Sequence, residues 1–386
     1  MTRTLELLER LVAFPTVSHL SNLDLIKWAR TLLEDLGFRV SVIPSENGEK
    51  AGLHARIGPN GDGGICLSGH TDVVPAAGQN WTYDPFQLTR STTHVFGRGV
   101  TDMKGFLASA LSLAERASKA ELKKPLSLVL SYDEEVGCIG IRDMLPTLTP
   151  LMGRPDLVVV GEPTSMQVAI GHKGKSALKV LCKGEPGHSA LAPEFVNAIH
   201  VASAFVVEMR DLQRELSNAA RDPAYDVPYS TVHVGKIEGG CALNVVPDLV
   251  TLEMEFRNLH ETPDHEIMEA IATAARRVEG AFGRELLIEI EKTNNYPGLN
   301  QETASDHVAM ARTLVGCADT KKVPFGTEAG YFAHLGHNVL VVGPGDMASD
   351  GHKPDEALEI AQLDACDAMM NRILSALTVG YSSGPL

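Results

Sequence analysis

Apolar residues recur at helical spacing near residues 3 to 13 and 22 to 36, then gather into short runs near 38 to 43, 52 to 57 and 64 to 69. This predicts two helices followed by three strands. The run Gly97-Arg98-Gly99-Val100-Thr101-Asp102-Met103-Lys104-Gly105 opens a further helix that continues to about Lys119. Leu126 to Ser131 is continuously apolar, as in a strand covered on both faces. A helix near 138 to 145 and a strand from Leu157 to Val160 follow. Helix and strand alternating in this way predict an α/β domain.

From about Lys173 the order changes. A strand (175 to 183), a long helix (193 to 216), strands at 230 to 238 and 246 to 257, a helix (263 to 280) and a strand (285 to 291) spell β-α-β-β-α-β. That is a ferredoxin-like α+β unit inserted into the first domain. The α/β pattern resumes with a helix from Ala304 to Leu314, a turn of helix at 328 to 334, a strand at Val339 to Val342 and a last helix from Leu363 to Val379. The expected division is 1–172 with 293–386 for one domain and 173–292 for the insertion. The tail from Tyr381 to Leu386 is expected to fray.

A length of 386 residues suits two domains, and 44% hydrophobic with 22% charged residues is ordinary for a globular chain. The net charge of -15 argues against nucleic acid and anionic membrane surfaces, which are gripped through clustered Lys and Arg. Cysteines at 66, 138, 182, 241, 317 and 366 stand singly, so neither a thiolate metal site nor a disulfide scaffold is indicated. They read as buried apolar residues in a reducing compartment. The stretch from Met1 to Ser18 lacks the unbroken apolar core of a signal peptide, and no apolar run is long enough to span a bilayer. A cytoplasmic location is expected.

Chemistry gathers at the strand ends. His70 and Asp72 leave one strand, Asp102 starts a helix, Glu134 and Glu135 follow a second strand, Glu162 follows a third, and His352 lies in Gly351-His352-Lys353-Pro354-Asp355-Glu356. In open α/β sheets ligands bind at such ends. Buried carboxylates there are costly unless they meet a cation. Two divalent ions would remove that cost. Two His and three carboxylates without a thiolate suit zinc, with cobalt or manganese as substitutes. Lys104, His172 and Lys173, also near these ends, read as solvated charges.

The strings at 69–75, 97–105, 132–140, 161–164, 187–190 and 351–356 together resemble the M20 family of co-catalytic zinc amidohydrolases. The resemblance spans nearly the whole chain. It implies a zinc-peptidase-like catalytic domain, with the insertion serving as lid and homodimer surface. It makes His70 and Glu162 ligands of one zinc, Glu135 and His352 ligands of the other, and Asp102 the bridge. Asp72 would orient His70, and Glu134 would be the general base. The family also implies a cis peptide after the bridging Asp, here between Asp102 and Met103. His188, in Gly187-His188-Ser189-Ala190, would stabilise the oxyanion in the partner chain's site. Asn244 and Arg257 resemble the grip on a substrate carboxylate, and Gly326, Thr327 and Glu328 a substrate-binding loop. Hydrolysis of an N-acyl amino acid is implied. The strings Gly326-Thr327-Glu328-Ala329 and Gly343-Pro344-Gly345 are most like those of family members that act on N-acetylornithine. On that reading Glu328 would receive the substrate's ammonium, the alternative being a carboxylate that only starts a helix.

Overall fold

The computed structural model describes residues 2–379, so the tail from Tyr381 lies outside the described residues. The chain divides into Met1–Gly171 with Asn300–Val323 and Thr327–Leu386, and His172–Leu299 with Pro324–Gly326. Residues 293–299, expected in the first domain, belong to the inserted unit. The reason is that the strand Ile288–Tyr296 runs on past 291 and pairs with Gly174–Lys183 as far as Tyr296 opposite Lys175.

The first unit is built on a nine-stranded mixed sheet. At its centre Ile65–His70 lies between Leu126–Ser131 and Leu157–Val160, parallel to both. Val339–Val341 extends the parallel set beside Leu157–Val160. Ala51–Ile57 and Arg39–Pro44 continue the sheet antiparallel on the other side. Every residue of Ile65–His70 and Leu126–Ser131 is buried, which accounts for runs with no polar alternation. Helices Arg3–Val12, Gly105–Ala117 and Ile360–Val379 pack together in this core through residues such as Leu8, Leu11, Leu107, Leu111, Met370 and Ile373.

Two differences from the sequence pattern have local causes. The helix predicted to stop near 145 runs Ile139–Met152, through Pro146 and Pro150. Each proline removes a backbone donor, but Ile141, Met144, Leu148 and Met152 bury one continuous face, and Thr149 Oγ1 donates to the Leu145 carbonyl at 2.7 Å. The strand Val168–His172 is not among the predicted elements. Its five residues are all buried, and so short an apolar run has no period to read.

In the inserted unit the strand order is Thr231–Gly239, Leu249–Asn258, Gly174–Lys183, Ile288–Tyr296, with all neighbours antiparallel. Helices Ala198–Ser217 and Asp264–Ala281 cover one face, which is why Gly174–Lys183 alternates buried and exposed side chains. Leu178, Val180, Phe205, Leu252, Phe256 and Ile271 form the core of this α+β unit.

Not all six cysteines are buried as expected: Cys66, Cys138, Cys182 and Cys366 are, but Cys317 is partly exposed and Cys241 exposed. Among the described residues no helix is long and apolar enough to cross a membrane.

Candidate metal centre

The register of the three central strands sets His70 opposite Ser131 and Ser68 opposite Val160. Residues just past these strands therefore emerge along one edge of the sheet, which is where His70, Glu134, Glu135 and Glu162 meet. Gly161 allows the close approach behind Glu162, since a Cβ there would run into the Phe106 ring. Asp102 arrives from the turn Val100–Lys104, whose Asp102–Met103 peptide is cis, as the resemblance implies.

Two triads result. His70, Asp102 and Glu162 offer ligand atoms within 4.8 Å of one another, and so do Asp102, Glu135 and His352. Asp102 is common to both. Its Oδ1 lies 3.0 Å from His70 Nε2 and its Oδ2 3.2 Å from His352 Nε2, so each oxygen faces a different imidazole. His352 Nε2 is also 2.9 Å from Glu135 Oε2. Within the same triads Glu135 Oε1 and Glu162 Oε1 are buried without a hydrogen-bond partner. Orphaned buried carboxylate oxygens are rare because they forfeit hydration, and a divalent cation in each triad would supply the missing partner. The donor set, nitrogen and oxygen without thiolate, fits that reading.

Hydrogen bonds aim the ligands. His70 Nδ1 lies 2.9 Å from the Asp72 main-chain carbonyl, nearer than the Asp72 carboxylate at 3.6 Å, and this leaves Nε2 for Asp102 and Glu162. The Asp72 carboxylate instead accepts from the backbone N–H groups of Glu134 (3.1 Å) and Glu135 (3.3 Å) and from Ser18 Oγ (2.8 Å). It therefore holds the turn that carries both glutamates.

The electrostatics follow from packing this many acids together. Burial, opposed by His70 and reinforced by Glu135, Asp102 and Glu328, lifts the Glu134 carboxyl well above its usual range. Burial and Asp102 push Glu135 up to about 7, and burial raises Glu162 well above its usual range. Asp102 goes the other way: burial would raise it, but hydrogen bonds to His352 and His70 hold it below the usual range. Those bonds to Asp102 and Glu135 push His352 up to about 10. Burial alone would lower His70, yet Asp102 and Asp72 carry it well above its ordinary value.

A prediction with a definite sign follows. Without a cation both imidazoles are protonated at neutral pH, and each must lose its proton to offer a lone pair. Glu135, at about 7, and Glu162, raised well above its usual range, hold protons there as well, so binding of a divalent ion at pH 7 is expected to release protons from the imidazoles and from these carboxyls together, with affinity rising as pH rises. Calorimetry in two buffers of different ionisation enthalpy measures this. Heats independent of the buffer would remove His70 and His352 from the ligand set.

Of the remaining expected site residues, His188, Asn244, Arg257 and Gly326 belong to the inserted unit. His188 is exposed, on the short strand Gly187–His188, and its Nδ1 accepts from the Ala190 N–H at 3.1 Å. Asn244 lies beside it, its carbonyl accepting from the Ser189 N–H at 3.0 Å. Arg257 is partly exposed, with Nε donating to Glu255 Oε1 (3.0 Å) and Nη1 to the Pro324 carbonyl (3.4 Å). Gly326 sits where any Cβ would meet the Tyr296 hydroxyl. Thr327 is buried and its Oγ1 accepts from the Ala329 N–H at 3.1 Å.

Glu328 stands at a helix start and is enclosed. It is 0% exposed, and burial pushes its carboxyl up to about 7. Neither oxygen completes a hydrogen bond, although the Ser131 hydroxyl is close enough to draw the pKa down. It precedes the helix Ala329–His334 but makes no cap bond. The side chain is close enough to Glu134 for its charge to help raise that carboxyl's pKa.

Lys104, His172 and Lys173 are likewise buried rather than solvated. Lys104 Nζ donates to the Phe14 carbonyl at 2.8 Å, and burial lowers its pKa to about 7. Lys173 Nζ donates to the carbonyls of Val227 (2.8 Å) and Tyr229 (2.5 Å).

Sequence reasoning missed Glu356 and Arg98. Both lie inside strings already singled out, and both are 1% exposed. Their position four residues after His352 and four before Asp102 was the available signal.

The chain is similar to known proteins over most of its length. The profile of Peptidase family M20/M25/M40 matches residues 66–376. The chain is 32% identical over 390 residues to an acetylornithine deacetylase of Pasteurella multocida (strain Pm70), covering 97% of this chain and 98% of that one. It is 35% identical over 365 residues to an acetylornithine deacetylase of Shigella sonnei (strain Ss046), covering 92% of each. Among solved structures, an M20 family metallo-carboxypeptidase of Sulfolobus solfataricus superposes with a TM-score of 0.78 at 19% identity, covering 98% of this chain and 100% of the other. A dinuclear metal-binding M20 peptidase of Bacillus subtilis gives 0.70 at 16% identity, covering 97% and 98%. Those two likenesses speak for the fold.

Proposed function

The chain belongs to peptidase family M20/M25/M40 and is a metal-dependent hydrolase, and on that premise we propose that it cleaves the amide of N2-acetyl-L-ornithine to acetate and L-ornithine. The observation that carries the chemistry is one carboxylate, Asp102, shared by two His-carboxylate triads with the Glu134 carboxyl beside them. The substrate rests on the acetylornithine deacetylases that match nearly the full length.

In this reading His70, Asp102 and Glu162 hold one divalent ion and Asp102, Glu135 and His352 the other. Zinc is the proposed metal and cobalt a working substitute. When bound, the ions polarise the acyl carbonyl and lower the pKa of water. Glu134 takes the proton from the attacking water and delivers it to the leaving nitrogen, a task for which a raised pKa suits a carboxylate. Asp72 keeps Glu134 aimed by holding its backbone N–H. Arg257 and Asn244 are proposed to receive the substrate's α-carboxylate, a forked guanidinium being suited to two parallel hydrogen bonds.

Assay of a panel of N-acyl amino acids and dipeptides with added zinc or cobalt tests the substrate. Acetylornithine is expected to give the highest kcat/KM. A higher value on another acyl amino acid or on a dipeptide would keep the hydrolase and replace the substrate.

The inserted unit is proposed as lid and homodimer surface, with His188 reaching the partner chain's reacting acyl group. Mixing inactive His188→Ala and Glu134→Ala chains, with subunit exchange verified, is then expected to restore about a quarter of the wild-type activity. Half the dimers are hybrids, and one of two sites in each holds both groups. No recovery after exchange would place the function of His188 within its own chain or remove it.

A further inference from the structure

We propose that the buried Arg98–Glu356 pair is the positioning device that holds His352 against Asp102, and so serves the second triad more than the first. This rests on the two-ion reading above.

The Glu356 carboxylate takes four donors. Oε1 accepts from the N–H groups of Thr101 (2.9 Å) and Asp102 (3.0 Å), and Oε2 from the Gly99 N–H (2.8 Å) and Arg98 Nη1 (2.8 Å). Three of the four are backbone groups of the turn that presents Asp102. The same segments are tied twice more, by the Gly97 N–H to the Glu356 carbonyl (3.0 Å) and Thr101 Oγ1 to the Ala357 carbonyl (2.6 Å). Arg98 then turns outward: Nη2 donates to Gln79 Oε1 at 2.6 Å, and Gln79 Nε2 donates to the His352 carbonyl at 3.0 Å. Trp81 stacks under the guanidinium at 4.9 Å and donates to the same Gln79 oxygen at 3.2 Å. The path from Asp102 through Glu356, Arg98 and Gln79 to His352 is thus closed by hydrogen bonds, and the short segment 352–356 completes the ring.

A buried ion pair is by itself weak evidence of purpose, because its desolvation cost can equal its attraction. The two triads decide the matter through what anchors them. His70 ends a fully buried strand and Glu162 follows another, so the sheet holds them. His352 sits on a loop with φ 60° and a side chain 44% exposed. Besides Glu135 and Asp102, the loop is held by Asp355 Oδ1 accepting from the Thr82 N–H (2.8 Å), by Lys353 Nζ donating to the Ala348 and Ser349 carbonyls (2.8 and 2.7 Å) and by the clasp, and of these the clasp is what ties it to the Asp102 turn.

Removal of such an outer hydrogen bond is expected to weaken metal affinity by about 10- to 100-fold. In Glu356→Gln the amide must present its NH2 to N–H donors on one side. We expect stepwise zinc titration of the metal-free protein to show one step weakened at least about tenfold and the other weakened less, because the Asp102 turn serves both triads and the His352 loop only one. Activity lost at stoichiometric zinc should return with excess zinc. Amide exchange at 99–102 should quicken in the metal-free variant. Gln79→Ala, which loosens the ring from its half-buried side, should show the same pattern more weakly and guards against a variant that does not fold. Equal weakening of both steps, two unchanged steps, or failure of excess zinc to restore turnover would overturn the proposal. Wild-type protein that binds a single ion would instead overturn the two-ion reading, and this inference with it.

Discussion

Glu134→Ala is expected to lower kcat by about 10²- to 10⁴-fold while leaving metal content close to that of the wild type, whereas Glu135→Ala is expected to lose metal as well as activity. The two residues are adjacent and share one anchor, the Asp72 carboxylate that accepts both backbone N–H groups. What separates them is where each side chain goes. Glu135 Oε2 faces His352 Nε2 at 2.9 Å and its other oxygen has no partner, so it is built as a ligand. Glu134 Oε1 accepts only from the Cys138 thiol at 3.3 Å, a weak bond that a carboxylate can leave to receive a proton. Truncating either side chain leaves the anchoring backbone bonds in place, so a change in metal content reports on ligation. Metal analysis after gel filtration, with turnover on the same samples, makes the comparison. Equal metal loss in the two variants would undo the assignment of Glu134 as the base.

How far the chain is legible depends on whether a residue's neighbours are local. The strands that end at His70, before Glu134 and before Glu162 are legible because full burial turns them into unbroken apolar runs. The candidate ligands stand out against those runs as charges at their ends. The inserted α+β unit is legible because its helices cover one face of the sheet and imprint two periods on the sequence. Where a residue's surroundings come from far along the chain, pattern fails. Glu356 meets the Asp102 turn across more than 250 positions, and nothing local marks it as buried. Glu328 follows Gly326-Thr327, with nothing local to mark it as buried, yet it is enclosed beside groups that the sheet brings to it. The helix Ile139–Met152 outruns its prolines because tertiary burial outweighs two missing donors.

The shared ligand should be the costliest single loss. Asp102→Ala is expected to abolish turnover and to remove both ions, while Glu162→Ala is expected to spare the ion held by Glu135 and His352. The reason is geometric. Oδ1 of Asp102 serves the His70 side and Oδ2 the His352 side, so one truncation takes a ligand from each triad, whereas Glu162 belongs to one. Charge compounds the effect, because Asp102 is the carboxylate that remains ionised between neighbours whose own pKa values are raised. Removing it takes from His70 its nearest carboxylate and from His352 one of two, and leaves two ligand acids to offset two cations. Asp102→Asn isolates the two contributions. One oxygen survives and the other becomes an NH2 donor, so a single triad keeps an acceptor, and metal content is expected to fall to about one ion per chain. The backbone of the turn should hold in all three variants, since Glu356 grips it through main-chain N–H groups that no side-chain change removes. Metal analysis of the three variants side by side decides the point. If Asp102→Ala retains as much metal as Glu162→Ala, the carboxylate does not bridge, and the two triads are independent sites.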